Sequence, residues 1–323
     1  MRFTRLLAAA VLGALIGLPP ASAQTYPSKV VRVILPYPPG GPSDPLVRAI
    51  SQKMGEGLNA TFIVDNRPGA NGIIGTEIAV KSPPDGYTLV FGSTSSLPMN
   101  AAIYPRLPFD PIKDLAPISS FAHTPQILVV HPSVPVTSVK EFIALAKARP
   151  GQIIYGSGGI GTSAHFAAEM FSAMTGIKMV HVPYKGGGPV TIDLIAGRVM
   201  MYFDSTQNAM PNIRAQRLRA LGVAALKRSP AAPEVPTISE AGVPGFEVST
   251  VFGFFAPANT PREIVMKLNA EIRRVLALPD VSERMTSVGT EPRGNTPEEF
   301  AEWLRSDTVK WAKVAREANI RAE

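Results

Sequence analysis

Along most of this chain, apolar runs of strand length alternate with stretches of helical periodicity. Residues 30–35 form such a run, a Pro/Gly-rich turn follows at 36–41, and a helical pattern then puts Leu46, Val47, Ile50 and Met54 on one face. Asp44 reads as the cap of that helix, with Pro45 at its first position, where a missing N–H costs nothing. Strands are predicted at 61–64, 87–91 and 127–130, with turn chemistry at Asn66-Arg67-Pro68-Gly69 and Pro83-Pro84-Asp85-Gly86. A helix from Ser138 through Lys147 leads into a second strand, glycine loop and helix, at 152–155, 156–161 and 162–174. Strands at 179–182, 199–203 and 218–223 follow, separated by a short helix at 190–196 and the segment 208–213.

After an irregular Pro/Gly-rich path at 229–245 the pattern turns helical, at 261–278, 281–288 and 297 to about 319. The last helix opens on a capping box, Thr296 with Glu299. Its Phe300, Trp303, Leu304, Trp311 and Val314 recur at helical spacing, a core face rather than a ligand platform. Strands separated by helices imply parallel βαβ units and an α/β fold. Two βαβ-rich halves emerge, each with a glycine loop after a strand, and the C-terminal helices are expected to return over the first.

Composition narrows the setting. Arg2 and Arg5 precede the apolar run 6–18, which ends in Pro19, Pro20 and the small-residue site Ala21-Ser22-Ala23. This is a cleavable export signal, since the run falls short of the roughly 20 apolar residues a spanning helix needs. The chain has no cysteine, so it carries no disulfide, no thiolate metal site and no lipid-bearing N-terminal Cys. A soluble periplasmic protein with no membrane insertion is expected. About 300 residues then remain, beyond the reach of one core, so two domains are expected. The formal charge of +7 falls to +5 without the two leader arginines. Scattered as it is, with no basic tract interleaved with aromatics, it argues against nucleic acid and gives a mild pull on anions.

The candidate chemistry is that of a binding cleft. Gly156, Gly158 and Gly161 spell G-x-G-x-x-G between a strand and a helix, yet the strand that follows ends in His181-Val182-Pro183-Tyr184, with no acid for a ribose. What remains is glycine backbone open to a ligand and a helix N-terminus that attracts an anion. Ser157, Thr162 and Ser163 add hydroxyls, although Ser163 reads equally as an ordinary helix cap. Gly40, Gly41, Ser43 and Asp44 repeat the arrangement in the first half, and Gly92, Ser93, Thr94 and Ser95 extend the polar rim. Asp204 ends another strand and fits either a ligand amine or hydroxyl or a neighbouring loop. His165 and Lys185 fit a ligand contact or a helix-end or surface role alike. The histidines at 123, 131, 165 and 181 are not spaced for zinc, and no cofactor or metal is expected. Gly161-Thr162-Ser163-Ala164-His165 approaches a nucleophile elbow but puts His165 where the turn needs glycine, so a serine hydrolase is the alternative from another class.

Five segments carry a resemblance: Tyr37-Pro38-Pro39-Gly40-Gly41, Asp65-Asn66-Arg67-Pro68-Gly69-Ala70, Pro83-Pro84-Asp85-Gly86-Tyr87-Thr88, His181-Val182-Pro183-Tyr184-Lys185-Gly186 and Pro257-Ala258-Asn259-Thr260-Pro261. In order, over nearly the whole exported chain, they resemble the Bug family, the TctC-like receptors of tripartite tricarboxylate transporters. The resemblance implies a type 2 periplasmic-binding-protein fold of two α/β domains. Residues 24–123 and 250–323 would form domain 1 and 124–249 domain 2, with the hinge at 122–126 and 248–254. It implies a small mono-, di- or tricarboxylate as ligand, no catalysis, and delivery to the transporter's membrane subunits by a monomer; a sensor subunit for a carboxylate is the alternative. The ligand's carboxylate would meet the first-domain loops at 37–44 and 92–95, which include Tyr37, Pro39, Gly40, Gly41, Ser43, Asp44, Ser93 and Thr94. Its distal end would meet Ser157, Gly158, Gly161, Thr162, Ser163 and His165, with Tyr184 and Asp204 beside them.

Overall fold

The computed structural model of the chain describes residues 26–41 and 43–322. The leader expected over residues 1–23 lies outside them. β1 (Val31–Leu35), α1 (Asp44–Leu58), β2 (Phe62–Asn66), α2 (Ile73–Val80) and β3 (Thr88–Ser93) open the chain as two βαβ units. β1 pairs in parallel with β2 and β3, and its apolar side chains are buried, as a strand covered on both faces requires. A π-helical turn at Ser95–Met99 runs into the short α3 (Asn100–Ile103), and the chain then enters β4 (Leu115–Val130).

The second half repeats the winding with α4 (Val139–Ala148), β5 (Ile153–Ser157), α5 (Ser163–Thr175), β6 (Met179–Pro183), α6 (Gly187–Ile195), β7 (Met201–Ser205), α7 (Thr206–Arg214) and β8 (Arg219–Val223). β9 (Ser249–Pro257), α8 (Arg262–Leu276), α9 (Pro279–Ser287), β10 (Glu291–Pro292) and α10 (Pro297–Glu317) complete it. The sheet runs β2-β1-β3-β9-β4-β7-β5-β6, with β8 and β10 also paired to β4. β4 joins the halves: up to Pro125 it pairs with β9, and from Gln126 with β7.

Three apolar cores are formed by the described residues. Two lie in the first half, around Val33, Phe91 and Phe254 and around Ile34, Phe255 and Phe300. The third, around Leu128, Phe171 and Phe203, fills the second half. The Thr296–Glu299 capping box is present, and Phe300 and Trp311 are fully buried. α10 spans two cores, placing Phe300 against Phe255 and Trp311 against Phe166.

Two expectations need correcting. The first helix is capped at Ser43, not Asp44, and Asp44 is its first residue. Gly40 curls the loop with φ +76°, and its N–H donates to Asp44 Oδ2 at 3.1 Å, which draws the carboxylate back over the loop. The strand expected at 127–130 is only the end of β4, which is 16 residues long. Pro117, Ser119, Ser120 and Thr124 break its apolar pattern, but their polar groups are bonded. Ser119 Oγ donates to the Asn295 carbonyl at 3.0 Å and Thr124 Oγ1 lies 3.1 Å from Thr290 Oγ1.

Candidate functional site

The loops after β1, β3, β5 and β7 lie at the carboxyl ends of those strands, where open α/β sheets bind ligands. The loop after β1 is held from within. Asp44 accepts from Gly40 N–H, from Arg48 Nε at 3.1 Å and from Asn66 Nδ2 at 3.1 Å. Burial alone would raise this carboxyl, and those donors outweigh it and hold it below the usual range. Pro39 and Gly40 are exposed at the tip, Gly41 N–H turns back to the Pro38 carbonyl at 3.4 Å, and Ser43 is nearly buried without capping through its side chain.

Tyr37 Oη lies 2.9 Å from Ser93 Oγ, and Ser93 Oγ lies 3.2 Å from Ser96 Oγ. Burial raises the Tyr37 phenol, so it remains protonated and able to donate. Thr94 faces the sheet instead: its N–H donates to the Val251 carbonyl at 3.1 Å and its Oγ1 accepts from Val251 N–H at 2.9 Å.

The two halves touch at the start of α5. Ser163 Oγ lies 2.8 Å from Ser95 Oγ, Ser163 N–H donates to Ser95 Oγ at 3.2 Å, and Thr250 Oγ1 donates to Ser163 Oγ at 3.1 Å. Gln126 Nε2 in turn donates to Thr250 Oγ1 at 3.1 Å. Beside them Asn71 Nδ2 donates to Asn100 Oδ1 at 2.8 Å and reaches the Gly161 carbonyl at 3.5 Å. Gly161 has φ +80°, and a Cβ there would overlap Ile103 Cδ1, so glycine permits both the turn and the approach of the halves. Ser163 is the first residue of α5 and not its cap; Thr162 takes that place, with Oγ1 donating to the Gly159 carbonyl at 2.8 Å.

Behind this loop stand three parallel rings. His181 stacks on His165 at 4.1 Å and on Tyr155 at 4.8 Å. Ser157 Oγ lies 2.6 Å from His181 Nε2 and accepts from Gly159 N–H at 3.1 Å, while His165 Nδ1 accepts from Gly161 N–H at 3.3 Å. Burial lowers His165 to about 3, helped by the facing His181, and lowers His181 to about 4. Both rings are therefore neutral near pH 7, and neutrality leaves His165 Nδ1 free to accept.

Other expected residues lie apart from this cluster. Tyr184 Oη donates to Asp193 Oδ2 at 2.8 Å, and Asp193 also takes Arg198 at 2.6 Å. Gly158 packs on the backbone of Gly186 and Gly187. Asp204 is 2% exposed and accepts from Ser205 N–H at 2.8 Å and Asn208 Nδ2 at 2.7 Å; burial raises it to about 7. Sequence reasoning missed Asn71, Asn100, Gln126 and Thr250. Asn71 did leave a signal, since the turn chemistry before it feeds a residue at φ +50°. Among the described residues no group of three or more His, Asp and Glu could hold a metal, and no helix is long and apolar enough to cross a membrane.

Hydroxyls and glycine backbone from two α/β halves, facing each other at strand ends, define a solute-binding protein. A family model described as the tripartite tricarboxylate transporter family receptor matches residues 46–320. The chain belongs to that family. Protein BugT of Bordetella pertussis is 35% identical over 326 residues, 99% of each chain. Among solved structures, R. palustris Rpa4515 with adipate is 35% identical, with a TM-score of 0.85 over 92% of this chain and 99% of that one. MatC from Rhodopseudomonas palustris with bound malate is 30% identical, with a TM-score of 0.81 over 90% and 99%. The fold is the two-domain α/β fold of periplasmic binding proteins.

Proposed function

We propose that this chain is an exported receptor that binds a small carboxylate between its halves without altering it and delivers it to the membrane subunits of a tripartite tricarboxylate transporter. The observation that carries the reading is the Ser95–Ser163–Thr250 contact, in which hydroxyls from both halves converge beside the N-terminus of α5. A carboxylate suits such neutral donors and the positive end of a helix. The adipate and malate held by the two relatives have the same chemistry. Domain 1 would comprise 24–123 and 250–323, domain 2 would comprise 124–249, and closure would turn on the Pro125–Gln126 switch of β4.

Binding is favoured over hydrolysis by a specific arrangement. Ser163 Oγ has hydroxyl neighbours, and the serine of this loop that meets an imidazole, Ser157, is fully buried and shared with Gly159. The reading is tested by thermal melts of residues 24–323, stripped of bound solute, against aliphatic, aromatic, hydroxy- and amino-carboxylates. A ligand at 100 times its dissociation constant should add about 2.7 kcal/mol, a shift of a few degrees. No shift with any acid, or chemical conversion of the acid that binds, would defeat the proposal.

A further inference from the structure

We propose that the first turn of α6, together with the Tyr202 hydroxyl, is an anion subsite that takes the second carboxylate of a dicarboxylate ligand. The inference rests on the carboxylate-receptor reading above and extends it to a part of the second-half wall outside the Ser163 cluster.

α6 starts without protection. Gly186 is its cap, Gly187, Gly188 and Pro189 are its first three residues, and it has neither a side-chain cap nor an acid in its first turn. Helix geometry leaves the Gly187 and Gly188 N–H groups without intrahelical partners. A Cβ on Gly186 or Gly188 would meet nothing within 4 Å, so the turn is open to a ligand. It also belongs to the cleft wall: Gly186 N–H donates to the Gly158 carbonyl at 3.0 Å, in the same loop whose far end brings Gly161 and Ser163 against the first half.

An independent observation points to the same spot. Tyr202 is 5% exposed, its hydroxyl has no hydrogen-bond partner among the described residues, and that oxygen is not itself one of the fully buried unpartnered atoms. That hydroxyl lies 3.1 Å from where a Cβ on Gly187 would stand, so it is aimed at the uncapped turn. Burial of the ring keeps the phenol protonated, hence a donor, and with no hydrogen-bond partner among the described residues it is available to a ligand at the turn. Two backbone N–H groups and a phenol converging at a positive helix end suit a carboxylate. Lys185, exposed just before the cap, adds a positive charge to this rim.

One group opposes an anion here. Asp204 faces Tyr202 from the same strand, contacts Asn208 of α7 and Thr191 of α6, and meets no cation among the described residues. Its burial makes it protonated in a large fraction of molecules near neutrality, which blunts the repulsion.

The test is calorimetric titration of the purified protein with adipate and with hexanoate, a matched pair that differs in one carboxylate. Tyr202→Phe removes the phenol donor. Gly188→Asp places a fixed carboxylate in the turn, where there is space and where an acid favours helix formation, so this variant should melt no lower than the wild type. Each substitution should weaken adipate about tenfold or more and leave hexanoate within about twofold. Equal losses for the two acids, or no loss for either, would overturn the subsite while leaving the receptor reading intact. Wild-type protein that binds no carboxylate at all would sink that reading and the subsite with it.

Discussion

Ser95 Oγ and Ser163 Oγ lie 2.8 Å apart across the line where the two halves meet, and Thr250 Oγ1 completes a three-hydroxyl chain. Ser163→Ala deprives Ser95 and Thr250 of a partner at once, a cost of about 1–3 kcal/mol to the closed arrangement. Carboxylate affinity should fall by about tenfold or more. Since Ser95→Ala breaks the same contact, the double variant should be little worse than either single one. Additive losses in titration calorimetry would show that the two hydroxyls act separately.

Gly161 is where closure tolerates least. An L-residue at φ +80° is strained by about 1–2 kcal/mol, and its Cβ would overlap Ile103 Cδ1 from the other half. Gly161→Val should therefore lose ligand binding by about a hundredfold while the unliganded protein melts within a few degrees of the wild type. Ile103→Ala in that background should recover part of the affinity by restoring space. Full binding by Gly161→Val would remove this loop from the site.

The buried and half-buried imidazoles predict a sign for acid sensitivity. His165 is lowered to about 3, and His123 and His181 to about 4, mainly by burial, from 6.5. Between about pH 4 and 6.5 the unfolded chain thus binds more protons at these three sites than the folded one. Their contribution is present above 6.5 and is lost as pH falls through that window. Asp204 acts oppositely: raised from 3.8 to about 7, it stabilises at low pH and loses its contribution as pH rises from about 4 to 7. Three imidazoles outweigh one carboxyl, so the urea midpoint should fall from pH 6.5 to 4.5. His165→Gln, which keeps an acceptor for Gly161 N–H, should make that fall shallower, and an unchanged slope would exclude His165 as a contributor.

Asp204→Asn isolates the opposing term. It keeps one carbonyl oxygen for Ser205 N–H and puts an NH2 where Asn208 Nδ2 now donates, which a flip of the Asn208 amide accommodates, and it cannot ionise. Relative to the wild type, its stability should improve steadily between pH 4 and 8, because only the wild type must bury a charge as pH rises. A stability difference that stays flat over this range would mean that Asp204 is not perturbed in the folded chain.

The βαβ halves and glycine loops were legible because strand-length apolar runs and turn residues are local signals. Gly40, Gly161 and the Thr296–Glu299 box did in the structure what their neighbours announce in the sequence. The front of β4 was not legible. Ser119, Ser120 and Thr124 interrupt the apolar run, and Asn295 and Thr290, more than 160 residues away, satisfy them. Asp44 was misread for a similar reason, since Asn66, 22 positions on, and a left-handed Gly40 settle where its carboxylate turns. Of the site, the hydroxyl-rich loops were visible, whereas Asn71 and Asn100 meet each other across 29 positions of the first half and Thr250 meets Ser163 only once both halves have packed.

α10 makes the second half depend on the C-terminus. Phe300 packs at 4.7 Å against Phe255 in the first half, and about three turns further along the same helix Trp311 meets Phe166 of α5 at 5.4 Å, edge to face, with Nε1 donating to Asp307 Oδ2 at 2.9 Å. Trp311 is fully buried, and Trp311→Ala should cost about 3–5 kcal/mol through lost contacts and the cavity left behind. The location of the loss is the sharper expectation. Phe166 lies on the helix that presents Ser163, so amide exchange in α5 and β5 should quicken before that in β1 and β3, and carboxylate affinity should fall with it. Phe300→Ala should reverse the order, loosening β9 and β3 first. Equal acceleration in both halves for both variants would mean that the two cores unfold as one, and that α10 is a shared wall and not a tether between them.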